Sequence, residues 1–218
     1  TLPPVEALPQ PLRVIDLGCG NAYLTFAAYR YLAGRGLDVE VVGVDVREDQ
    51  RQRNSALAAE LGAADRVRFV AGGILGAVVE PPPHLVLALH ACDTATDEAL
   101  ARAVGWGAQW VLAAPCCHRD IAAQLRDRPA PEPYDLLTGQ GILRERFADV
   151  LTDALRAALL REHGYRVEVV EFVDSKHTPR NLLLRARRSE AARTDGAAYR
   201  DLVGTWQVSP RLQTLLVE

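Results

Sequence analysis

The stretch VIDLGCGN at residues 14–21 decides the fold of this 218-residue chain. Residues 13–17 carry β-branched and aliphatic side chains, which predict a buried strand. Gly18 and Gly20 follow at once, and helical spacing runs over 22–32, so the glycines lie in a sharp turn between a strand and a helix. Glycine lets a ligand approach the backbone closely because it has no Cβ. The stretch therefore predicts a strand, a turn and a helix that bind a ligand at the turn.

The rest of the chain repeats the same alternation of apolar strands and helical segments. Further strands are predicted at 39–44, 67–70, 84–89 and 110–114, and further helices at 48–61, 94–104, 118–125 and 144–163. Continuous apolar strands that alternate with helices indicate a parallel sheet covered on both faces. Two last strands, at 165–173 and 181–186, have no helix between them, which predicts an antiparallel hairpin. The fold class is therefore α/β, a Rossmann-like seven-stranded sheet that is mostly parallel with a C-terminal antiparallel hairpin.

Composition limits the classes of protein to consider. The chain is 49% hydrophobic and 24% charged, as in ordinary globular proteins, and its length suits one core. We expect one domain at 1–188, with a helical tail at 189–218 packed on it. A net charge of −3 argues against binding nucleic acid through bulk positive charge. Four cysteines without a disulfide pattern favour a reducing cytoplasm, and no apolar run is long enough to predict a membrane span.

An acidic residue completes the predicted ligand site. Asp45 ends the second strand, 25 residues after Gly20, where a carboxylate can accept hydrogen bonds from a ribose diol. A dinucleotide site would need a third glycine, which is missing by Leu24, whereas S-adenosylmethionine has no pyrophosphate and does not need one. The alternative is a tight turn beside an unrelated surface aspartate. We predict S-adenosylmethionine as the cofactor, with contacts from Asp16, Gly18, Gly20, Asn21, Asp45, Val46, Gly73 and Ile74.

Polar residues follow the fourth and fifth strands, in the segments LHACDTATD at 89–97 and APCCH at 114–118. The carboxyl ends of parallel strands meet at one edge of the sheet, where open α/β sheets bind their ligands. A histidine at that edge is suited to removing a proton near neutral pH. The candidate catalytic residues are His90, Asp93, Cys117 and His118, together with Asn181 from the turn of the hairpin.

Three other interpretations of the cysteines and histidines remain open. Cysteine and histidine are zinc ligands, but the chain has no Cys-x-x-Cys pair, so we expect no metal site. Pro115 and Cys116 resemble the Pro-Cys nucleophile of 5-methylcytosine enzymes, although that motif follows the fourth strand there and the fifth strand here. The cysteines can also be small buried hydrophobic residues.

Three motifs together resemble a known family. They are LHACDTATD at 89–97, PCCH at 115–118 and HTPRN at 177–181, and the likeness spans residues 11–186. They are similar to the methyltransferase domain of tRNA acceptor-stem ribose methylases, which methyltransferase-like and glutathione-S-transferase-C-terminal-domain-containing proteins share. The ribose methylases usually have glycine at the position of Asp93. The resemblance implies a class I S-adenosylmethionine-dependent methyltransferase that acts on RNA, with tRNA as the leading acceptor. A protein or small-molecule acceptor, or a non-catalytic cofactor-binding module, stays open.

Overall fold

The computed structural model describes residues 7–89, 91–174, 176, 181–189, 191 and 193–217. A seven-stranded sheet forms its centre, in the order β3-β2-β1-β4-β5-β7-β6. The strands are β1 Leu12–Leu17, β2 Val39–Asp45, β3 Val67–Ala71, β4 Leu85–Ala88, β5 Trp110–Ala113, β6 Tyr165–Glu171 and β7 Leu182–Arg188. The helices are α1 Tyr23–Gly34, α2 Glu48–Glu60, α3 Thr94–Gly105, α4 Arg119–Arg126, α5 Asp135–Thr138, α6 Gly141–Glu162, α7 Ala197–Trp206 and α8 Arg211–Val217.

The pairing of the strands confirms the predicted fold class. Strands β1 to β5 are parallel to one another, whereas β7 runs antiparallel between β5 and β6. The hairpin therefore closes the sheet with its second strand inside and its first strand at the edge. Because β1, β2, β4 and β5 are parallel, the loops that follow them all emerge at one edge of the sheet.

Two cores fill the space between the sheet and its helices. One contains Phe26 of α1 and Phe69 of β3, whose rings lie 5.6 Å apart. The other contains the buried faces of α3 and α6 together with Tyr199, Trp206 and Leu212 from α7 and α8. The last two helices thus belong to the same core as the sheet.

No helix among the described residues is both long and apolar enough to cross a membrane.

Helix boundaries differ from the prediction around α5 and α6. The sequence predicts a helix from 144, but α6 begins at Gly141, and the short α5 was not predicted at all. Ile142 and Leu143 are 62% and 49% exposed. No buried stripe therefore marks the first turn of α6, and hydrophobic periodicity cannot detect it.

Candidate functional site

The turn after β1 takes a backbone conformation that requires glycine. Gly18 and Gly20 have φ values of +76° and +52°, in the left-handed region that favours glycine. The N–H of Gly18 donates to the carbonyl of Val44 at 2.8 Å, which fixes the turn against the end of β2. A Cβ on Gly18 would lie 3.4 Å from the Cα of Ala91 in the loop after β4. The turn is thus enclosed by neighbouring backbone on both sides.

Asp45 holds the turn in place from the end of β2. One carboxylate oxygen, Oδ2, accepts the N–H of Gly20 at 2.9 Å, and the other, Oδ1, accepts the N–H of Arg47 at 3.0 Å. On the far side, the buried Asn54 of α2 donates from Nδ2 to the carbonyl of Gly20 at 2.8 Å. Asn54 is not among the predicted site residues, although a polar residue on the buried face of a helix is a signal for such a role.

Asp16 lies at the end of β1, beneath the turn. Its carboxylate is buried beneath the turn and accepts the hydroxyl of Thr25 in α1 at 2.5 Å. It is not among the residues that line the adjacent cavity. Asp16 therefore joins β1 to α1 below the site, and its contact with the cofactor stays a prediction.

A cavity of about 420 Å³ lies above the turn, at the carboxyl ends of the parallel strands. Most of the predicted cofactor residues line it, namely Gly18, Gly20, Asn21, Asp45, Val46 and Ile74. Gly73 does not line it, but Gly72 does, and the sequence analysis also missed Tyr23 and Ala95. The volume lies within the range of small-molecule sites. A carboxylate, a turn rich in backbone N–H groups and an apolar wall suit a ligand with a ribose and an aromatic base.

Cys19 lies inside the turn but takes no part in thiol chemistry. Its side chain is buried in the core that contains Phe26. Burial, with the carboxylates of Asp16 and Asp45 nearby, raises the pKa of its thiol to about 12. Cys19 is thus a protonated, small hydrophobic residue at neutral pH.

The loop after β4 is joined to the start of α4 by Asp93. Its Oδ1 accepts the N–H groups of Arg119 at 2.9 Å and Asp120 at 3.3 Å. Asp93 has a φ of +54°, which costs a non-glycine residue about 1–3 kcal/mol. Glycine would adopt this conformation without that cost. In the described structure Asp93 caps α4, and its predicted catalytic role is not tested.

His118 is buried against α6 and does not line the cavity. Its Nε2 donates to Oδ2 of Asp153 at 2.9 Å. Its Nδ1 lies 3.0 Å from Oδ1 of Asp149, close enough for an ion pair but outside hydrogen-bond geometry. The imidazole is therefore enclosed by two carboxylates of one helix.

Arg156 continues this buried network from α6 to α3. Its guanidinium donates to both carboxylate oxygens of Asp97, at 2.9 and 2.7 Å, and to Asp153 at 3.2 Å. It also donates to the backbone carbonyl of Asp93 at 2.9 Å. The network joins His118 after β5, the loop after β4 and two helices. Sequence reasoning did not find it, because its members lie far apart in the chain.

Three cysteine thiols converge beside the cavity. Their sulfur atoms, from Cys92, Cys116 and Cys117, lie within 4.8 Å of one another, and Cys92 also lines the cavity. A hydrogen bond with Cys117 and partial burial raise the pKa of Cys92 to about 12, and burial raises the pKa of Cys116. The segments that carry these cysteines were predicted to meet at one edge of the sheet, and the structure adds that the three sulfur atoms lie in one cluster.

The remaining predicted residues lie at or near the hairpin and the loop after β4. His90 and the segment 177–180 lie outside the described residues. Asn181 is described, and its Nδ2 donates to Oε1 of Glu171 at 2.5 Å and to the carbonyl of Val173 at 2.7 Å. Asn181 thus bridges the two strands of the hairpin, while its predicted role in orienting a substrate is not tested.

Comparison with known proteins identifies the class. Residues 4–124, more than half of the chain, match the family described as "Methyltransferase domain", and the chain belongs to this family. The curated protein "Probable tocopherol O-methyltransferase, chloroplastic" of Oryza sativa subsp. japonica is 31% identical over 127 residues. That match covers 54% of this chain and 33% of the rice protein, so the chain spans about a third of that relative's length.

Solved structures share the fold at low sequence identity. A Clostridium thermocellum protein named "putative rRNA-methylase" has a TM-score of 0.56 and 15% identity, covering 84% of this chain and 89% of that chain. Geranyl diphosphate C-methyltransferase from Streptomyces coelicolor, solved with S-adenosyl-L-homocysteine, has a TM-score of 0.54 and 12% identity. It covers 84% of this chain and 73% of that chain. Identities this low show the common Rossmann-like methyltransferase fold alone.

Proposed function

We propose that this chain transfers the methyl group of S-adenosylmethionine to RNA. The observation that carries the methyl-transfer part is the meeting of the Gly18–Gly20 turn and the Asp45 carboxylate at one cavity. Membership of the methyltransferase family and neighbours solved with S-adenosylmethionine or its product support the same cofactor.

The residues of the cavity would bind and orient the cofactor. The carboxylate of Asp45 accepts hydrogen bonds from the ribose diol, while the Gly18–Gly20 turn lies against the methionine part and Ile74 packs near the base. S-adenosylmethionine supplies a methyl group already activated as a sulfonium. The chain therefore mainly has to hold an acceptor in line with that methyl, and orientation alone can lower the barrier substantially.

The acceptor site is proposed at the loops that follow β4 and β5. They carry the predicted residues His90, Asp93, Cys117 and His118, with Asn181 at the neighbouring hairpin. RNA is the proposed acceptor because the motifs at 89–97, 115–118 and 177–181 resemble tRNA ribose methylases. Arg47 and Lys176 in loops, and Arg119 at the start of α4, are exposed at this edge. Arg47 and Lys176 form exposed ion pairs with Asp49 and Asp174, which phosphates can replace as partners.

A small-molecule acceptor is the second candidate, and a specific observation favours it. The rice relative is named for tocopherol, an apolar small molecule, and the net charge of −3 gives no general attraction to RNA. The two candidates share the cofactor site and differ only in the group that meets the methyl.

Purified chain incubated with methyl-labelled S-adenosylmethionine and separate cell fractions of RNA, protein and metabolites tests the proposal. We expect label in the RNA fraction with the wild-type chain, and little or none with Asp45→Ala. Label only in protein or metabolites would refute RNA and keep methyl transfer. No label in any fraction, with S-adenosylhomocysteine still bound in calorimetry, would show a non-catalytic binding module instead.

A further inference from the structure

We propose that Cys92, Cys116 and Cys117 form a metal site that binds one Zn²⁺ beside the cofactor cavity. The sulfur of Cys116 lies 3.4 Å from that of Cys92 and 3.9 Å from that of Cys117. In a tetrahedral zinc site with Zn–S bonds of about 2.3 Å, the sulfurs are about 3.8 Å apart. Separations of 3.4 to 4.8 Å therefore place three thiolates around a position that one zinc ion fits with small side-chain adjustments.

The local backbone is arranged so that these sulfurs face one another. Neighbouring side chains point to opposite sides of an extended strand, which would separate Cys116 from Cys117. Here β5 ends at Ala113, and the irregular segment at 114–118 turns both thiols toward Cys92. None of the three is fully buried, since Cys92 is exposed and the other two are half-buried. They are therefore not small hydrophobic residues of the core, as Cys19 is, and an ion from solvent can reach them.

The two loops that carry the thiols are held together by hydrogen bonds. Asp93, next to Cys92, accepts the N–H groups of Arg119 and Asp120, just beyond Cys117. The buried Arg156 donates to the carbonyl of Asp93, and the N–H of Ala114 donates to the carbonyl of Ala88 at 3.0 Å. These bonds fix the two loops relative to each other, so the ligands lose less conformational freedom when an ion binds. Asp93, which has a strained φ of +54°, is the residue that joins the two loops.

The ligand chemistry favours zinc over hard cations. Three thiolates are soft ligands, which select zinc or copper(I) rather than magnesium or calcium. Binding displaces the thiol protons to solvent, so affinity falls at low pH. Three protein ligands leave a fourth position open, as in catalytic zinc sites, and Cys92 belongs to both the cluster and the cavity wall.

This proposal departs from the expectation of no metal that the sequence analysis drew from spacing. That expectation rested on the missing Cys-x-x-Cys pair. Ligands that come from two loops, 24 residues apart, have no such spacing, because the parallel arrangement of β4 and β5 brings them together. The site does not depend on the proposed methyl transfer, and it would exist in a chain that only binds cofactor.

Cobalt titration of the full chain tests the site. Protein kept reduced and freed of metal by dialysis against a chelator is titrated with Co²⁺, which absorbs strongly when thiolates bind it. We expect thiolate–cobalt absorption that saturates at one equivalent and is abolished by one equivalent of Zn²⁺. Cys92→Ser, Cys116→Ser and Cys117→Ser should each weaken cobalt binding by at least about tenfold. Cys19→Ala, which removes the only cysteine outside the cluster, should retain it.

Two results would overturn the proposal. One is the absence of thiolate–cobalt absorption in the wild-type protein. This measurement uses no variant, so it does not depend on whether the variants fold. The other is equal binding by wild type and by all three serine variants that melt normally. A Cys92–Cys116 disulfide found by mass spectrometry in protein without metal affinity would indicate a redox pair instead. Calorimetry with S-adenosylhomocysteine on the same samples reports the cofactor site separately, so failure of one site is distinguishable from failure of the other.

Discussion

At the scale of single residues, Asp45 offers the most direct test of the cofactor site. Asp45→Ala removes the proposed acceptor of the ribose diol and leaves the N–H of Gly20 without its carboxylate partner. Hydrogen bonds to a charged group contribute about 1.5–3 kcal/mol. We expect the Kd for S-adenosylhomocysteine to rise roughly tenfold to 150-fold in isothermal titration calorimetry.

Gly18→Val tests the same site through the backbone rather than through charge. The φ of +76° at Gly18 strains any branched side chain, and its Cβ would already contact Ala91, so affinity should fall here as well. Asp49→Ala is the matched control, because Asp49 is an exposed carboxylate four residues after Asp45. Unchanged affinity in both Asp45→Ala and Gly18→Val would remove this turn from the cofactor site.

At the scale of elements, the contacts between α6 and the loop after β5 predict a structural role for His118. His118→Gln would leave the buried Asp153 and the half-buried Asp149 with a weaker partner. We expect the free energy of unfolding to fall by about 1–3 kcal/mol, as when buried polar groups lose a partner. Cofactor affinity and the pH profile of methyl transfer should stay close to those of wild type. Chemical denaturation and rate measurements across pH check this.

A general base would behave differently in the same experiments. If His118 removed a proton from the acceptor, His118→Gln would melt like wild type and lose about a hundredfold in rate, with the lower limb of its pH profile missing. His163→Gln is the control, because His163 is part-buried at the end of α6 and bonds only locally, to the carbonyl of Leu159 at 2.8 Å among the described contacts.

The elements also show what the sequence could and could not predict. Periodicity predicts β1 to β5, the main helices and the hairpin, because each buries a regular apolar face. Residues 14–21 and Asp45 predict the cofactor side of the site, because the glycine turn and the acidic residue at the end of β2 have a characteristic spacing in the sequence. The Arg156 network escapes prediction, because its members meet only after helices and loops far apart in sequence are packed together. The sequence brings the three cysteines to one edge of the sheet, whereas the distances between their sulfur atoms come from the structure alone.

At the scale of the whole molecule, α8 completes the core on the side of α3. Leu212 is fully buried there, in the cluster that also contains Leu100 and Leu155. Leu212→Ala should lower the free energy of unfolding by about 2–5 kcal/mol, the usual cost of removing a buried leucine side chain. Urea denaturation measures it. Thr214 is exposed on the same helix, so Thr214→Ala should change the free energy of unfolding little. If Leu212→Ala were as stable as wild type, α8 would pack elsewhere in solution.

The two bonds that Asp45 makes within the protein have a consequence for the thermodynamics of ligand binding. Both carboxylate oxygens are already oriented by backbone N–H groups, so the rotamer entropy of this side chain is lost during folding and not during association. A carboxylate has about four lone-pair positions, so a diol can bind without displacing either N–H. The site is preorganised, so a larger part of the free energy of each new hydrogen bond contributes to ligand affinity.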